Sequence, residues 1–163
     1  MKLDIGCGNN PKGDVNLDLS IGRNLHRDNV AINTKEVPNF ILADVNYLPF
    51  RDNSFSEICC YHVIEHRGVN PSRAVEEMIR VATERVEIRL PPTIILFIQK
   101  LFHLHAHQNT LTPAYFHHLL QKVDHTVEIY RGFVRTNWGR KLPAYITLPI
   151  YIPLELRIKI RIT

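Results

Sequence analysis

Three acidic residues in the first 45 positions each lie in, or directly after, a short apolar run. Asp4 precedes a turn formed by Gly6 and Gly8, and Asp18 and Asp44 come at the ends of two later runs. Glycines at such a turn let the backbone adopt a positive φ and approach a ligand closely. A carboxylate at the carboxyl end of a parallel strand can accept both hydroxyls of a ribose, at the edge where open α/β sheets bind cofactors. A lone glycine pair or a lone acid indicates only a turn or a cap, but the three in order predict a nucleoside site.

The spacing of apolar residues predicts the elements that would position these side chains. Short apolar runs between polar turns predict strands, and apolar residues at helical spacing predict helices. Pro71 suits the first turn of a helix that extends through Ala82. Residues 20–37 are predicted to contain a short helix. The other predicted strands are 2–5, 15–18, 40–43, 55–61, 86–90 and 127–134, and the other predicted helices are 93–104 and 112–123.

The order of these elements predicts one α/β domain over residues 1–163 with a Rossmann-like, doubly wound, mostly parallel sheet. Only about eight residues join the first two predicted strands, whereas a parallel crossover usually needs a dozen or more. The first crossover is therefore expected to be shortened to a turn, without the usual helix.

Composition limits the classes of protein. Hydrophobic residues make up 45% of the chain, an ordinary share for a globular protein, and no run of about 18 apolar residues predicts a membrane helix. The first predicted strand begins at residue 2, so no signal peptide is expected. Three cysteines form no even disulfide framework, so a reducing, cytoplasmic location is expected. The net charge of +4 permits an anionic partner without requiring one.

The last ten residues alternate strictly between apolar and polar side chains, which predicts a strand with one buried face. The opposite face carries Arg157, Lys159 and Arg161, whose full burial would cost several kcal/mol per unpaired ion. That face is therefore expected to meet solvent, acids or an anionic partner. Two interpretations stay open, namely a charged face that prevents edge-to-edge aggregation and a docking strip for RNA or an anionic lipid head group.

These motifs together resemble the class I S-adenosylmethionine-dependent methyltransferases, and more narrowly the small type 11 group. The resemblance covers roughly the first 90 residues, with Asn10 in place of the usual third glycine. The matching segments are Leu3-Asp4-Ile5-Gly6-Cys7-Gly8, Asn16-Leu17-Asp18, Ala43-Asp44-Val45, Leu48-Pro49-Phe50, Asp52-Asn53-Ser54-Phe55, His62-Val63-Ile64-Glu65-His66 and residues 74–81.

The resemblance implies S-adenosyl-L-methionine as the cofactor and a methyl acceptor that the sequence leaves unidentified. It implies that Asp4 and the glycine turn hold the methionine end, that Asp18 binds the ribose, and that Asp44 borders the adenine. Tyr61 and His62 would face the reacting sulfonium. The implied cofactor-binding residues are Asp4, Gly6, Cys7, Gly8, Asn9, Asn10, Asp18, Leu19, Asp44, Val45 and Tyr61.

Methyl transfer from a sulfonium requires little side-chain chemistry because the leaving group is a neutral thioether. The protein must align the acceptor with the methyl group and remove a proton if the acceptor is a hydroxyl or an amine. His62 is the candidate catalytic residue, since histidine titrates near neutral pH. The alternative is that His62 only packs beside the cofactor. His66 is expected to cap a turn, and Glu76 and Glu77 to lie on a solvated helix face.

Histidines are concentrated in the second half of the chain. His103, His105 and His107 would lie on one side of an extended segment, a spacing that zinc or iron can use. No cysteine or acid lies between Lys100 and Val123 to complete such a site. We therefore predict that these histidines hold no metal.

Two other classes of function stay open from the sequence. A domain with this pocket could bind S-adenosylmethionine as a regulatory module without catalysis, which the missing third glycine favours slightly. A nicotinamide-dependent enzyme is the other class, but the glycine turn lacks the full Gly-x-Gly-x-x-Gly pattern. Comparing the binding of NADH and S-adenosylhomocysteine would separate the cofactor classes.

Overall fold

A computed structural model describes residues 1–23, 30–91, 109, 111–133 and 151–162. Within these residues the chain forms seven strands and two helices. The strands are β1 (Lys2–Ile5), β2 (Val15–Asp18), β3 (Phe40–Leu42), β4 (Phe55–Tyr61), β5 (Ala82–Leu90), β6 (His125–Phe133) and β7 (Tyr151–Arg161). The helices are α1 (Pro71–Val81) and α2 (Pro113–Leu119).

The seven strands form one sheet in the order β3-β2-β1-β4-β5-β7-β6. Strands β1 to β5 pair in parallel, and β7 inserts antiparallel between β5 and β6. The strand order reverses at β1, because β2 and β3 lie on one side of it and β4 and β5 on the other. Open α/β sheets bind ligands at the carboxyl ends of the strands beside such a reversal. The predicted Rossmann-like, mostly parallel sheet is confirmed.

The connection between β1 and β2 contains no helix, as its short length predicts. The N–H of Asp14 donates to the carbonyl of Lys2 at 2.9 Å, and its carboxylate accepts the Lys2 N–H at 2.7 Å. Gly13 is required in this loop, because a Cβ there would lie 2.6 Å from the Val15 carbonyl oxygen and 2.7 Å from the backbone nitrogen of Asp4. The loop therefore runs close along β1.

One face of the sheet carries the main hydrophobic core. Alternate side chains of the central strands are buried there, and both α1 and α2 pack against them. Burial of one Leu, Ile or Phe side chain contributes roughly 1.5–3 kcal/mol relative to exposure, so this layer fixes the sheet that positions the strand ends. Its fully buried members include Leu3, Ile5, Ile58, Met78, Val86, Ile88, Phe116, Leu120 and Ile158.

The predicted C-terminal strand is confirmed as β7, with one buried and one charged face. On the charged face, Lys159 Nζ lies 3.1 Å from the Glu128 carboxylate on β6, and Arg157 pairs with Glu155. Arg161 is exposed. This face meets acids of its own sheet as well as solvent, and the two interpretations of it, protection against aggregation and docking to an anionic partner, stay untested. The buried side chains are Leu156, Ile158 and Ile160.

Helix α1 begins at the predicted proline but ends one residue earlier than its apolar spacing indicates. The side chain of Asn70 caps it by accepting the Arg73 N–H at 3.2 Å. Ala82 is predicted to be helical, but its backbone is extended (φ −90°, ψ 150°), and it begins β5 beside Phe55. A small buried residue fits a helix face and a strand equally well, so spacing alone did not place this boundary. Strand β5 therefore starts at 82 and not at the predicted 86.

Glu77 is not solvated, and the prediction for it is wrong. The residue is 5% exposed, and its carboxylate accepts the Leu48 N–H at 2.9 Å. Arg80 bonds both Glu77 oxygens, at 2.8 and 3.0 Å, and lowers the pKa of that carboxyl. The same guanidinium donates to the carbonyls of Leu48 and Phe50. Helical spacing predicts that Glu77 pairs with Arg80. The burial of this pair depends on the tertiary fold, which packs the segment after Asp44 against it.

The remaining predicted elements differ at their ends or fall outside the described residues. Helix α2 ends at Leu119 instead of near 123, and β6 begins at His125 instead of 127. Residues 20–23 and 30–37 form bends and turns without a helix, and the predicted helix 93–104 lies outside the described part of the chain. No described helix is long and apolar enough to cross a membrane.

Candidate functional site

The glycine turn leads from the end of β1 toward β2. Gly6 and Gly8 have φ of +75° and +52°, in the region that side chains disfavour. The Gly6 N–H donates to the Leu17 carbonyl at 2.8 Å, and a Cβ on Gly6 would lie 2.2 Å from Val63 Cγ2. The backbone therefore requires glycine at position 6, where the turn contacts the loop that follows β4.

Asp18 closes this turn from the end of β2. Its Oδ2 accepts the Gly8 N–H at 3.1 Å and its Oδ1 accepts the Ser20 N–H at 3.2 Å. Its carbonyl accepts the Ala43 N–H at 3.1 Å, which brings the end of β3 to the same edge. A carboxylate oxygen can accept two hydrogen bonds, so the geometry is compatible with a ribose diol. Beside it, Leu19 is 63% exposed.

Asp4 is buried between the crossover loop and β4. Its Oδ2 accepts the Lys12 N–H at 2.8 Å, and its Oδ1 accepts the Cys59 thiol at 3.3 Å. Burial, together with the charge of Asp4, raises the pKa of Cys59 to about 12, so the thiol stays protonated and donates. Both Asp4 oxygens are thus held in place, and this carboxylate fixes the loop after the glycine turn.

The other members of the turn are held by neighbouring loops. Cys7 is buried in a small cluster with Ile32 and Val37. Asn9 donates to the Ala31 carbonyl at 3.0 Å and accepts an N–H at 2.9 Å through its side-chain oxygen. Asn10 is exposed and begins the crossover loop. Contact between Cys7 or Asn9 and a ligand would therefore involve the backbone more readily than the side chain.

Asp44 is oriented by a network that sequence reasoning missed. Its Oδ1 accepts both the backbone and the side-chain N–H groups of Asn46 at 2.8 Å. The Asn46 side chain also donates to the Gly68 carbonyl at 3.1 Å and accepts the Asn70 N–H at 2.8 Å. Asn46 thereby joins the end of β3 to the loop after β4. The Val45 side chain belongs to the hydrophobic core, so only its backbone faces this edge.

Tyr61 ends β4 within a group of charged side chains. Its hydroxyl donates to Glu87 Oε2 at 3.1 Å, and the Arg89 guanidinium lies 4.2 Å from the ring centroid. The Lys12 ammonium lies 5.6 Å from the same centroid. Burial, then the Glu87 charge, raises the pKa of Tyr61, so its hydroxyl acts as a donor and not as a base.

His62 stands at the same strand end with a strained backbone and two acidic neighbours. Its φ is +57°, unusual for a residue with a side chain. Nδ1 lies 3.7 Å from the buried Glu65 carboxylate, and Nε2 lies 3.8 Å from Glu155 on β7. Glu65 and then Glu155 outweigh partial burial and raise the pKa of His62. The imidazole is half exposed, and it can accept a proton from a molecule that reaches this edge.

Among the described histidines of the second half, His117 and His125 contact each other away from this edge. His117 Nδ1 and His125 Nε2 lie 3.0 Å apart, on α2 and at the start of β6. His103, His105 and His107 lie outside the described residues, so the absence of a metal there stays a prediction. Within the part of the chain that the structure describes, no three His, Cys, Asp or Glu side chains are grouped to hold a metal ion.

The side chains at the carboxyl edge fit the groups of S-adenosylmethionine. A ribose diol needs paired acceptors, an adenine needs an apolar neighbour and an acceptor for its amine, and an ammonium needs a carboxylate. Asp44 with Leu19 suits the adenine, Asp18 suits the ribose and Asp4 suits the ammonium, and the three acids follow the strand order β3-β2-β1. The glycine turn lets a ligand approach the backbone between them.

Comparison with known proteins agrees with this chemistry. Residues 3–86 match the model of a methyltransferase domain of the type 11 group. No curated relative matches the chain at a significant level.

Among solved structures, the whole fold resembles several methyltransferases at low sequence identity. An S-adenosylmethionine-dependent methyltransferase of Thermotoga maritima has a TM-score of 0.68 at 16% identity, over 99% of this chain and 81% of that one. One from Mesorhizobium loti has a TM-score of 0.64 at 12% identity, over 98% and 90%. The magnesium protoporphyrin IX methyltransferase of Synechocystis, solved with bound S-adenosylhomocysteine, has a TM-score of 0.57 at 14% identity, over 100% and 74%. The family match and the shared fold together show that the chain belongs to the class I, type 11 S-adenosylmethionine-dependent methyltransferases.

Proposed function

We propose that the protein transfers the methyl group of S-adenosylmethionine to an acceptor that lies beside His62. The main support is that Asp18 connects the ends of β1, β2 and β3. Its side chain accepts the Gly8 N–H after β1, and its carbonyl accepts the Ala43 N–H after β3. S-adenosylmethionine, when bound, supplies a methyl group activated by a positively charged sulfur, which becomes a neutral thioether.

Each strand end has one role in this proposal. The Asp18 carboxylate, whose orientation two backbone N–H groups fix, accepts the ribose hydroxyls. Asp44, which Asn46 orients, accepts the adenine amine. Leu19 offers an exposed apolar surface beside them. Because these side chains are already held by the fold, little conformational entropy is lost when the ligand binds.

His62 supplies the proton acceptor when the acceptor atom is a hydroxyl or an amine. The Glu65 carboxylate near Nδ1 and Glu155 near Nε2 both favour the imidazolium. They raise the pKa of His62 and make it a stronger base than an isolated histidine. The proton passes from the acceptor to Nε2, where Glu155 stabilises the charge that forms.

The replacement of Asp18 by alanine tests this assignment. Loss of charge-assisted hydrogen bonds to the ribose costs on the order of 1.5–3 kcal/mol, so the affinity for S-adenosylhomocysteine should fall at least about tenfold in calorimetry. Asp124→Ala removes an exposed acid before β6 and is the matched control, with wild-type affinity expected. If Asp18→Ala keeps its fold by circular dichroism and also its affinity, the ribose assignment is wrong.

Turnover separates an enzyme from a domain that only binds the cofactor. Wild-type protein supplied with methyl-labelled S-adenosylmethionine and an extract of its own cells should transfer label, and His62→Ala should transfer less while still binding the cofactor. Binding without label transfer would favour the regulatory module. Three free, buried cysteines support a cytoplasmic location for this activity.

A further inference from the structure

The loop between β1 and β2 places one cation where other sheets of this kind have a helix. Lys12 is the only basic residue from Gly6 to Asp14, and this stretch contains no helix. In an ordinary crossover, the helix after the glycine turn directs free N–H groups toward an anion. An anionic ligand group at this turn therefore lacks those N–H donors, and the ammonium of Lys12 is a positive charge that can stabilise it instead.

The Lys12 side chain is positioned between the glycine turn and the end of β4. Its backbone N–H donates to Asp4 Oδ2 at 2.8 Å, which fixes the start of the side chain. Its ammonium donates to the Asn10 carbonyl at 3.2 Å and lies 5.6 Å from the Tyr61 ring centroid. The ammonium is thus at the carboxyl edge, beside the side chains that face the methionine end in the proposed function.

The charge of Lys12 is not balanced by a carboxylate of the described chain. No described acid lies within ion-pair distance of its ammonium, whose contacts are the Asn10 carbonyl and the Tyr61 ring. The neighbouring cation Arg89, by contrast, pairs with Glu87 at 2.7 Å. An ammonium has three N–H donors, so Lys12 can add a carboxylate without breaking a salt bridge.

We propose that Lys12 binds the carboxylate of the cofactor's amino-acid end. This inference rests on the proposed function. In it, the Lys12 ammonium replaces the partial positive charge that a crossover helix would have supplied. An amino-acid zwitterion carries one positive and one negative group. Asp4 and Lys12, which the same loop holds together, are the complementary pair, with Asp4 toward the ammonium and Lys12 toward the carboxylate.

Two nucleosides that differ at the amino-acid end test this role. S-adenosylhomocysteine carries the zwitterion, whereas 5′-methylthioadenosine lacks it. Lys12→Gln should weaken binding of S-adenosylhomocysteine about tenfold, as for the loss of a charge-assisted hydrogen bond, and leave 5′-methylthioadenosine unaffected. Lys12→Arg should retain most of the affinity. Lys122→Gln, which removes an exposed lysine after α2, is the matched control and should behave as wild type for both ligands.

The outcomes distinguish this inference from the proposed function. If wild type binds S-adenosylhomocysteine and Lys12→Gln binds it equally well, or loses both ligands in equal proportion, Lys12 does not recognise the carboxylate. If wild type binds neither nucleoside, the proposed function itself fails and this inference with it. Raising the salt concentration should reduce the difference between wild type and Lys12→Gln, because the contact is exposed. Thermal unfolding should show that the variant keeps its fold.

Discussion

The replacement of Gly6 by alanine is a quantitative test of the glycine turn. Gly6 has a φ of +75°, and an added Cβ would lie 2.2 Å from Val63 Cγ2. Gly68 provides the control, because it has a φ of +89° and an added Cβ would meet nothing within 4 Å. The two substitutions therefore share the backbone strain and differ in the collision.

The expected cost follows from these two contributions. A side chain at positive φ costs roughly 1–2 kcal/mol, which is the effect expected for Gly68→Ala. Forcing a methyl group against the stiff, β-branched Val63 adds about 1–3 kcal/mol. Gly6→Ala should therefore reduce the free energy of unfolding by about 2–5 kcal/mol. The cofactor affinity should fall as well, because the turn must shift.

A double-mutant cycle in urea unfolding isolates the collision. The effect of Val63→Ala on the free energy of unfolding should be more favourable in the Gly6→Ala variant than in wild type, by about 1–3 kcal/mol, because the smaller side chain removes the collision. The same Val63→Ala change in the Gly68→Ala background should show no coupling. If Gly6→Ala and Gly68→Ala destabilise the protein equally, and Val63 couples to neither, Gly6 does not pack against Val63 in the loop after β4.

Three further predictions concern the adenine, the histidine and the loop after β3. S-adenosylhomocysteine should bind about tenfold more tightly in calorimetry than its inosine counterpart, because Asp44 accepts from the adenine amine; equal affinities would exclude Asp44. The pKa of His62 measured by NMR should lie above its usual value and should fall in Glu155→Gln. The rate of methyl transfer to a hydroxyl or amine that must lose a proton should rise with pH through that pKa, because only the neutral imidazole accepts a proton. Arg80→Met should cost about 1–3 kcal/mol in urea unfolding, because Glu77 stays buried without its cation; an unchanged stability would mean that this network does not hold the loop.

The strand ends could be predicted from the sequence because their signal is local. A short apolar run followed by glycine or an acid indicates both the strand and its carboxyl end, and Asp4, Asp18 and Asp44 all lie at the edge that this pattern indicates. The alternation over the last residues likewise predicts β7 and its buried face. The short spacing before Val15 predicts the absence of the first crossover helix, because too few residues are available to form one.

The contacts that orient the site could not be predicted, because they join residues far apart in the chain. Glu155 reaches His62 only because β7 inserts beside β5, and the alternation around position 155 predicts the strand but not the side chain that it approaches. Asn46 looks like an ordinary turn residue until the loop after β4 packs against it. Glu77 looks like a solvated partner of Arg80, and its burial depends on the loop that contains Leu48. Local patterns place residues on elements, whereas tertiary packing decides which carboxylates are buried and which side chains come together at the edge of the sheet.

A crystal structure of the wild-type protein with S-adenosylhomocysteine bound would locate the cofactor site. The ribose hydroxyls should lie within hydrogen-bond distance of the Asp18 carboxylate, the adenine between Leu19 and Asp44, and the sulfur on the side of Tyr61 and His62. Density for the nucleoside elsewhere on the sheet, with these side chains still in contact only with their own chain, would contradict the proposed site.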